Sequence, residues 1–357
     1  MRILYLADAP YPHTQRWVRH FAERGHECEV LSFRPAAIEG ARVTHLSGLE
    51  ALGKLRYLVK ARGVARLVRE RKPDLLHAMH LTSYGFLGAL SGYHPFIASV
   101  WGMDVFEAPR LSPLHGWITR YALSHADAVT ATGPALARAT MRFMPPDCGV
   151  RSIPYGVDLD RFRPAEPLPR EDVVVGTVSR LSPEKGLRHL IEAVASAGLR
   201  DQVKLRIAGE GPQRRRLEAL VRERGLQGRV EFSGWLEYDN VPGFLRTLDI
   251  FVLPSLFEGF GVAAVEASAC GLPVIASRVQ GLPDVVVDGV TGSLVPPGDA
   301  GAIAEAIGQL ARDPALRLRL GQAGREFVAE HYDWAKNAAE MARLYEELAG
   351  SLAGVTG

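Results

Sequence analysis

Short β-rich apolar runs alternate with stretches of helical spacing along most of the chain. RILYLAD (2–8), ECEVLSF (27–33), DLLHAMH (74–80), PFIASVWG (95–102) and DAVTATG (127–133) read as strands. Helical patterns fill most of the intervals, as in TQRWVRHFAERG, which Gly25 stops. The segment IPYGVDLDRFRPAEPLPRED (153–172), rich in proline and turn residues, reads as a linker. The alternation then restarts with VVVGTVS (173–179), VKLRIAG (203–209), RVEFSG (229–234), DIFVLPS (249–255) and PVIAS (273–277). Strands alternating with helices on both sides of a linker predict two parallel-sheet α/β domains, hinged near residues 160–172. In such sheets ligands sit beyond the carboxyl ends of the strands, at loop-to-helix turns.

One such turn carries two carboxylates in an apolar setting. In PSLFEGFGVAAVEASACGLPVIAS (254–277) a buried strand leads through LFEGFG into a helix closed by Gly271. Gly259 and Gly261 remove Cβ atoms where a ligand would approach, and free N–H groups at the helix start favour a phosphate or a sugar hydroxyl. Glu258 stands at the lip and Glu266 lies one to two turns into the helix, both suited to accept from the diol of a ribose or hexose. Upstream, VSRLSPEKGLRHLIEAV brings Arg180 and Lys185 to a loop that opens another helix, where two cations and a helix N-terminus suit a diphosphate. The Gly-x-Gly of AGEGPQRRRLEAL lacks the third glycine of a dinucleotide fingerprint and reads as a tight strand-to-helix turn.

Composition narrows the class. The 357 residues are 47% hydrophobic and 23% charged, ordinary for a soluble globular chain. Three scattered cysteines suggest neither a disulfide framework nor a zinc site. The N-terminus enters a strand without a signal-peptide pattern, and no apolar run approaches the roughly 18 residues of a spanning helix, so a cytoplasmic protein is expected. The net charge of +2 conceals an asymmetry: residues 1–165 hold 21 Lys+Arg against 14 Asp+Glu, whereas the remainder is acidic. An anionic partner for the first half is implied.

The segments VSRLSPEKG, AGEGPQRRRLE, EFSGWL, LPSLFEGFGVAAVEASACGLPVIAS and VVDGVTGSLVPPGD, in this order, resemble the donor domain of the retaining glycosyltransferases of the GT-B fold, family 4 or group 1. IPYGVDLDRFRP is similar to the segment entering that family's hinge, and the resemblance extends over nearly the whole chain. It implies two Rossmann-like parallel-sheet domains facing a central cleft. Residues 1–165 would bind the acceptor, completed by a C-terminal helix at about 336–357, and 166–335 would bind the donor. The implied reaction transfers a hexose-type sugar from a nucleotide-diphosphate sugar, with retention, to a glycan, lipid-linked or small-molecule acceptor. Arg180 and Lys185 would hold the diphosphate, Glu258 the donor sugar and Glu266 the ribose. Gly259, Phe260 and Gly261 would offer backbone N–H groups, and Gly234, Trp235 and Leu236 would line the base pocket. Neither a cofactor nor a metal is implied, because the cations and the helix terminus supply the electrostatic stabilisation.

The N-terminal half departs from the family pattern twice. Where relatives often carry a Gly-Gly loop, this chain has DAPYPHTQRW, so His13 and Thr14 fall on the acceptor side. Where a histidine is usual, ASVWGMDVF places Trp101, with Gly102 and Asp104 retained. Trp101 either stacks on a sugar ring or fills the crevice wall. Asp104 either accepts from an acceptor hydroxyl, as a catalytic group, or braces its loop. HAMH (77–80) alternates faces on a strand and reads as structural rather than as a metal pair. The segment 54–72, with eight Lys+Arg against one acid, reads as a sheet-covering helix whose basic face is either solvated or drawn to an anionic membrane, which would make the protein peripheral at the inner membrane face. A non-catalytic nucleotide-sugar-binding protein, or a phosphorylase or epimerase of the same fold, is the alternative. No feature suggests a nucleic-acid partner.

Overall fold

The computed structural model describes residues 1–46, 55–146, 148–165, 172–196 and 198–353, without the side chains of 55, 56 and 351–353. The chain divides into two compact units, residues 1–155 with 336–357, and residues 156–335. In the first unit the order is β1 (Arg2–Leu6), α1 (Pro12–Ala22), β2 (Glu27–Ser32), β3 (Ala41–His45), α2 (Leu55–Arg71), β4 (Leu75–Met79), α3 (Phe86–Ser91) and β5 (Phe96–Val100). Two short helices, α4 (Met103–Phe106) and α5 (Ala108–Leu111), precede α6 (Pro113–Ser124), β6 (Ala128–Ala131), α7 (Pro134–Met141) and β7 (Val150–Ser152). The second unit runs β8 (Val173–Val178), α8 (Leu187–Val194), β9 (Val203–Ala208), α9 (Arg214–Glu223), β10 (Val230–Gly234), α10 (Val241–Leu245), β11 (Ile250–Leu253) and α11 (Val262–Ala269). It ends with β12 (Val274–Ser277), α12 (Leu282–Val285), β13 (Gly292–Val295), α13 (Ala300–Arg312) and α14 (Pro314–His331), after which α15 spans Trp334–Ala353.

Both sheets are parallel throughout. The first has the order β3-β2-β1-β4-β5-β6-β7 and the second β10-β9-β8-β11-β12-β13. β4, β5, β11 and β12 are buried on both faces, as their continuous apolar runs require once helices cover a parallel sheet. Each expected strand is present, and three more appear: β3, β7 and β13. All three are edge strands with partly exposed patterns, so they lack the unbroken apolar run that marks a central strand.

The expected boundary at 165/166 falls inside the second unit. Residues from Gly156 onward are tied there by backbone: Val157 N–H donates to Tyr332 O at 2.7 Å, and Trp334 N–H donates to Val157 O at 3.0 Å. Arg325 Nη1 donates to Phe162 O at 3.0 Å. The pairing groups, not the turn composition, set where the segment belongs.

α15 is fastened to the first sheet by a buried polar chain. Tyr345 Oη meets His77 Nδ1 at 2.5 Å, His77 Nε2 meets Ser99 Oγ at 2.6 Å, and Ser99 Oγ meets Thr130 Oγ1 at 2.6 Å. HAMH is thus structural at His77, and burial pushes its imidazole down to about 3. A neutral ring donates through one nitrogen and accepts through the other, so both neighbours are satisfied. Because the folded-state value is depressed, the unfolded chain binds the extra proton as pH falls from about 6.5 towards 3, and stability drops through that window. Urea unfolding followed at pH 7, 5.5 and 4.5 is expected to show this decline, and a folded His77→Asn variant a shallower one. Parallel pH profiles for the two proteins would exclude His77 as a contributor.

Candidate functional site

In each sheet the strand order reverses once, between β1 and β4 and between β8 and β11. At such a switch point the loops leave in opposite directions and open a crevice at the carboxyl edge. Arg180, Lys185 and Glu258 lie in the loops after β8 and β11, and His13 opens α1 after β1, whereas Trp101 and Asp104 follow β5, Gly234–Leu236 close and follow β10, and Glu266 lies on α11.

In the second unit the loops after β8 and β11 lie against each other. The N–H groups of Leu256 and Phe257 both donate to the carbonyl of Glu184, at 2.7 and 3.3 Å. Gly186 has φ +63°, and a Cβ there would stand 2.0 Å from Pro254 O, so only glycine permits this approach. The result brings two of the expected residues together: Lys185 Nζ donates to Glu258 Oε2 at 2.7 Å, with both side chains largely buried. Ser255 Oγ adds a hydrogen bond to the same oxygen at 3.3 Å. Arg180 is exposed just past the end of β8. Burial alone would raise the Glu184 carboxyl, but it is held below its ordinary value by Ser182, a backbone N–H, Lys185 and Arg180. Lys185 and Arg180 thus both act on this end of the sheet.

The glycine-rich turn that follows is built largely by packing. Gly261, at φ +100°, starts α11, and a Cβ on it would meet Leu282 at 2.6 Å. A Cβ on Gly281 would strike Gly259 O at 2.2 Å, so the turn rests on the next loop's backbone. Gln280 Oε1 accepts from Glu258 N–H at 3.2 Å. Phe260, expected only for its N–H, is buried with its ring edge-on to Tyr332 at 5.4 Å and anchors the turn. Glu266 lies on α11 and is 7% exposed, a carboxylate kept inside a helix whose only other polar residue is Ser268. Gly234 ends β10 at φ +73°, followed by half-buried Leu236. Trp235 is 66% exposed, with its Nε1 held by Glu237 at 3.2 Å. A groove of about 460 Å³ on this unit, lined by Leu187, Arg188, Gln213 and Leu217, includes none of Arg180, Lys185, Glu258 and Glu266. Charge and hydrogen-bonding capacity, rather than concavity, mark the site.

In the first unit, loops after β1, β4, β5 and β7 form an aromatic cluster. His13 stacks on Tyr155 with centroids 3.8 Å apart, and Tyr11 and His80 each lie 5.1 Å from Trp101. Trp101 meets Tyr155 edge-on at 5.6 Å, so its ring is held by neighbours from three separate chain segments. Enclosure pushes His13 down to about 3, with Arg16 adding to the effect, so this imidazole is neutral at neutral pH. Tyr11 and Tyr155 were not anticipated: one looked like an ordinary loop residue, and the other lay in the linker segment. Thr14 is fully buried on α1, its hydroxyl without a hydrogen-bond partner, and does not face solvent.

Asp104, expected among the catalytic groups, is instead the brace of its loop. Its carboxylate is 2% exposed and accepts from the N–H groups of Leu81 (3.0 Å), Gly102 (2.8 Å) and Trp101 (3.2 Å). With both oxygens occupied by backbone donors, it shapes the turn that presents Trp101. Asp104→Asn places an N–H₂ against a backbone N–H whichever way it turns. A loss of about 1–3 kcal/mol in urea unfolding is expected, and an unchanged midpoint would contradict the bracing role.

Among the described residues no group of three or more His, Cys, Asp or Glu is placed to hold a metal, and no helix is long and apolar enough to cross a membrane. Residues 158–327 match the family model for glycosyl transferases group 1, and residues 2–133 that for glycosyl transferase 4-like proteins. The chain is 32% identical over 284 residues to a GDP-mannose-dependent alpha-(1-6)-phosphatidylinositol monomannoside mannosyltransferase of Mycolicibacterium smegmatis, covering 75% of this chain and 74% of that one. It is 35% identical over 257 residues to a 2-deoxystreptamine glucosyltransferase of Streptomyces kanamyceticus, covering 67% and 65%. Among solved structures, the sucrose-phosphate synthase of Thermosynechococcus elongatus matches with a TM-score of 0.86 and 26% identity, over 98% of this chain and 100% of that one.

Proposed function

The chain belongs to the group 1 glycosyltransferases, and from that membership we propose that it moves a hexose-type sugar from a nucleotide-diphosphate sugar to a hydroxyl acceptor with retention of anomeric configuration. The observation that carries the reading is the Lys185–Glu258 pair beside Arg180 at the second sheet's switch point. Arg180 and Lys185 take the diphosphate, which draws Lys185 from Glu258 and frees that carboxylate for hydroxyls of the donor sugar. Glu266 receives the ribose diol, and the base lies along Gly234, Trp235 and Leu236. Backbone N–H groups of the Gly259–Gly261 turn add to the positive field. The cations and this turn meet the charge that grows on the leaving diphosphate, so no metal enters the proposal.

Retention follows a front-face route. The bond from the anomeric carbon to the phosphate oxygen breaks as the acceptor oxygen bonds that carbon on the same side, and the acceptor proton passes to the leaving phosphate. No protein base is needed, consistent with a neutral His13 and an Asp104 carboxylate occupied by backbone. Trp101 offers its face to the acceptor's ring. Mannosyl transfer to a phosphatidylinositol monomannoside and glucosyl transfer to 2-deoxystreptamine, named for the two relatives, support a hexose donor and acceptors ranging from lipid-linked to small molecules. Contact with an anionic membrane through 54–72 forms part of the same proposal. Lys54 lies outside the described residues, and α2 exposes Arg62, Arg66 and Arg69.

A screen of nucleotide sugars by thermal shift, followed by transfer assays, tests the reading. Glu266→Ala is expected to weaken donor binding by about 1–3 kcal/mol, and an unaltered nucleotide affinity in the folded variant would remove its ribose role. Arg180→Ala and Lys185→Ala are each expected to lower turnover by about a hundredfold or more, beyond any loss in donor affinity. Intact turnover with weakened binding would reduce them to ground-state contacts.

A further inference from the structure

Large apolar side chains are exposed along one rim of the first unit. Met103 (58%), Leu111 (65%), Leu114 (62%) and Trp117 (52%) stand out on α4, α5 and α6, and Leu58 (55%) and Val59 (58%) at the start of α2. The topology explains why these belong to one region. α2 and α6 each follow a strand of a parallel sheet and return to the next, so both helices begin at the carboxyl edge. Both are crossovers towards the β7 side, and right-handed connections put them on one face, where α3 packs against each of them. The starts of α2 and α6, with α4 and α5 between β5 and α6, therefore lie along the same carboxyl rim as the Trp101 loop.

The rim is held in place. Trp117 stacks on Tyr121 at 5.2 Å and lies edge-on to Phe86 at 6.0 Å, so its outer face is presented at no cost in reordering. Exposed cations flank it: Arg110 on α5, Arg120 on α6, and Arg62 and Arg66 on α2. Six apolar side chains with a tryptophan among them, spread along the rim helices rather than around a pocket and bordered by arginines, have the chemistry of a surface that enters the headgroup layer of a bilayer. The basic excess of the first half selects the sign of that bilayer.

We propose that this rim docks on an anionic lipid bilayer, with Leu111, Leu114 and Trp117 as its apolar anchors and the arginines of α2, α5 and α6 on the lipid headgroups. This deepens the membrane contact of the preceding reading: α2 supplies charge, and α4–α6 supply the insertion. It also sets Met103, two residues from Trp101, at the membrane, so a lipid-linked acceptor would present its headgroup to the aromatic cluster.

The test is co-sedimentation of the full chain with vesicles of phosphatidylcholine containing 30% phosphatidylglycerol, against phosphatidylcholine alone. Binding to the anionic vesicles that weakens with salt is expected for the wild type. Leu111→Ser/Leu114→Ser, and the triple variant adding Trp117→Ser, should lower it at least tenfold, with circular dichroism and nucleotide binding unchanged. Lys185→Ala serves as the control that separates this idea from the catalytic one: it should bind vesicles like the wild type whether or not transfer is lost. Equal vesicle binding by the double variant and the wild type overturns the proposal. So does a wild type that ignores anionic vesicles at low salt, or a wild-type dimer that the rim substitutions convert to monomer without vesicle binding, which would make the rim an interface between copies.

Discussion

The meeting of Lys185 and Glu258 depends on how closely three loops of the second sheet lie together. Gly186 passes Pro254 O, Gly209 would place a Cβ 1.8 Å from Ser179 O, and Gly211 would place one 2.5 Å from Leu181 O. Loops after β8, β9 and β11 are thereby laid edge to edge, with the Glu184 carbonyl receiving two N–H groups of its neighbour. Side chains from separate strands can then meet, and a lysine and a glutamate 73 positions apart form an ion pair. Such a pair, largely buried, is held because each member has its counter-charge, and either alone would be costly to keep there.

Much of this was legible in the sequence because it is local. Central strands of a parallel sheet are covered on both faces, so they appear as apolar runs, and the turns at their carboxyl ends follow directly. The edge strands β3, β7 and β13 were not legible, since their half-exposed patterns match those of loops. Glu258 and Lys185 could be chosen by residue type and position, but their contact depends on glycine approaches that no periodicity encodes. The Gly-x-Gly at 209–211 shows the converse. Its glycines were legible as a tight turn, and their reason is contact with the loop after β8.

The first unit was less readable because its aromatic cluster is assembled from distant segments. Tyr11 and Tyr155 look unremarkable in their own stretches, Trp101 and His80 stand out only singly, and the sheet order brings all four together. Asp104 illustrates a second limit. A buried acid beside a glycine reads equally as a reactive group or as a staple for backbone N–H groups, and only its three donors decide. The segment 153–165 was read as linker from its prolines and turns, yet its amides and carbonyls pair with residues near 325–334.

The buried chain from Thr130 to Tyr345 also bears on how the protein can be handled. The last helix is no dispensable tail, because a chain shortened before Tyr345 would leave a ring nitrogen of His77 facing an empty, water-poor space. Arg151 reaches the same helix through Glu347 at 2.6 Å. Fusion partners and affinity tags are therefore best attached beyond residue 353. Shortened versions intended to simplify crystallisation should retain the whole of α15.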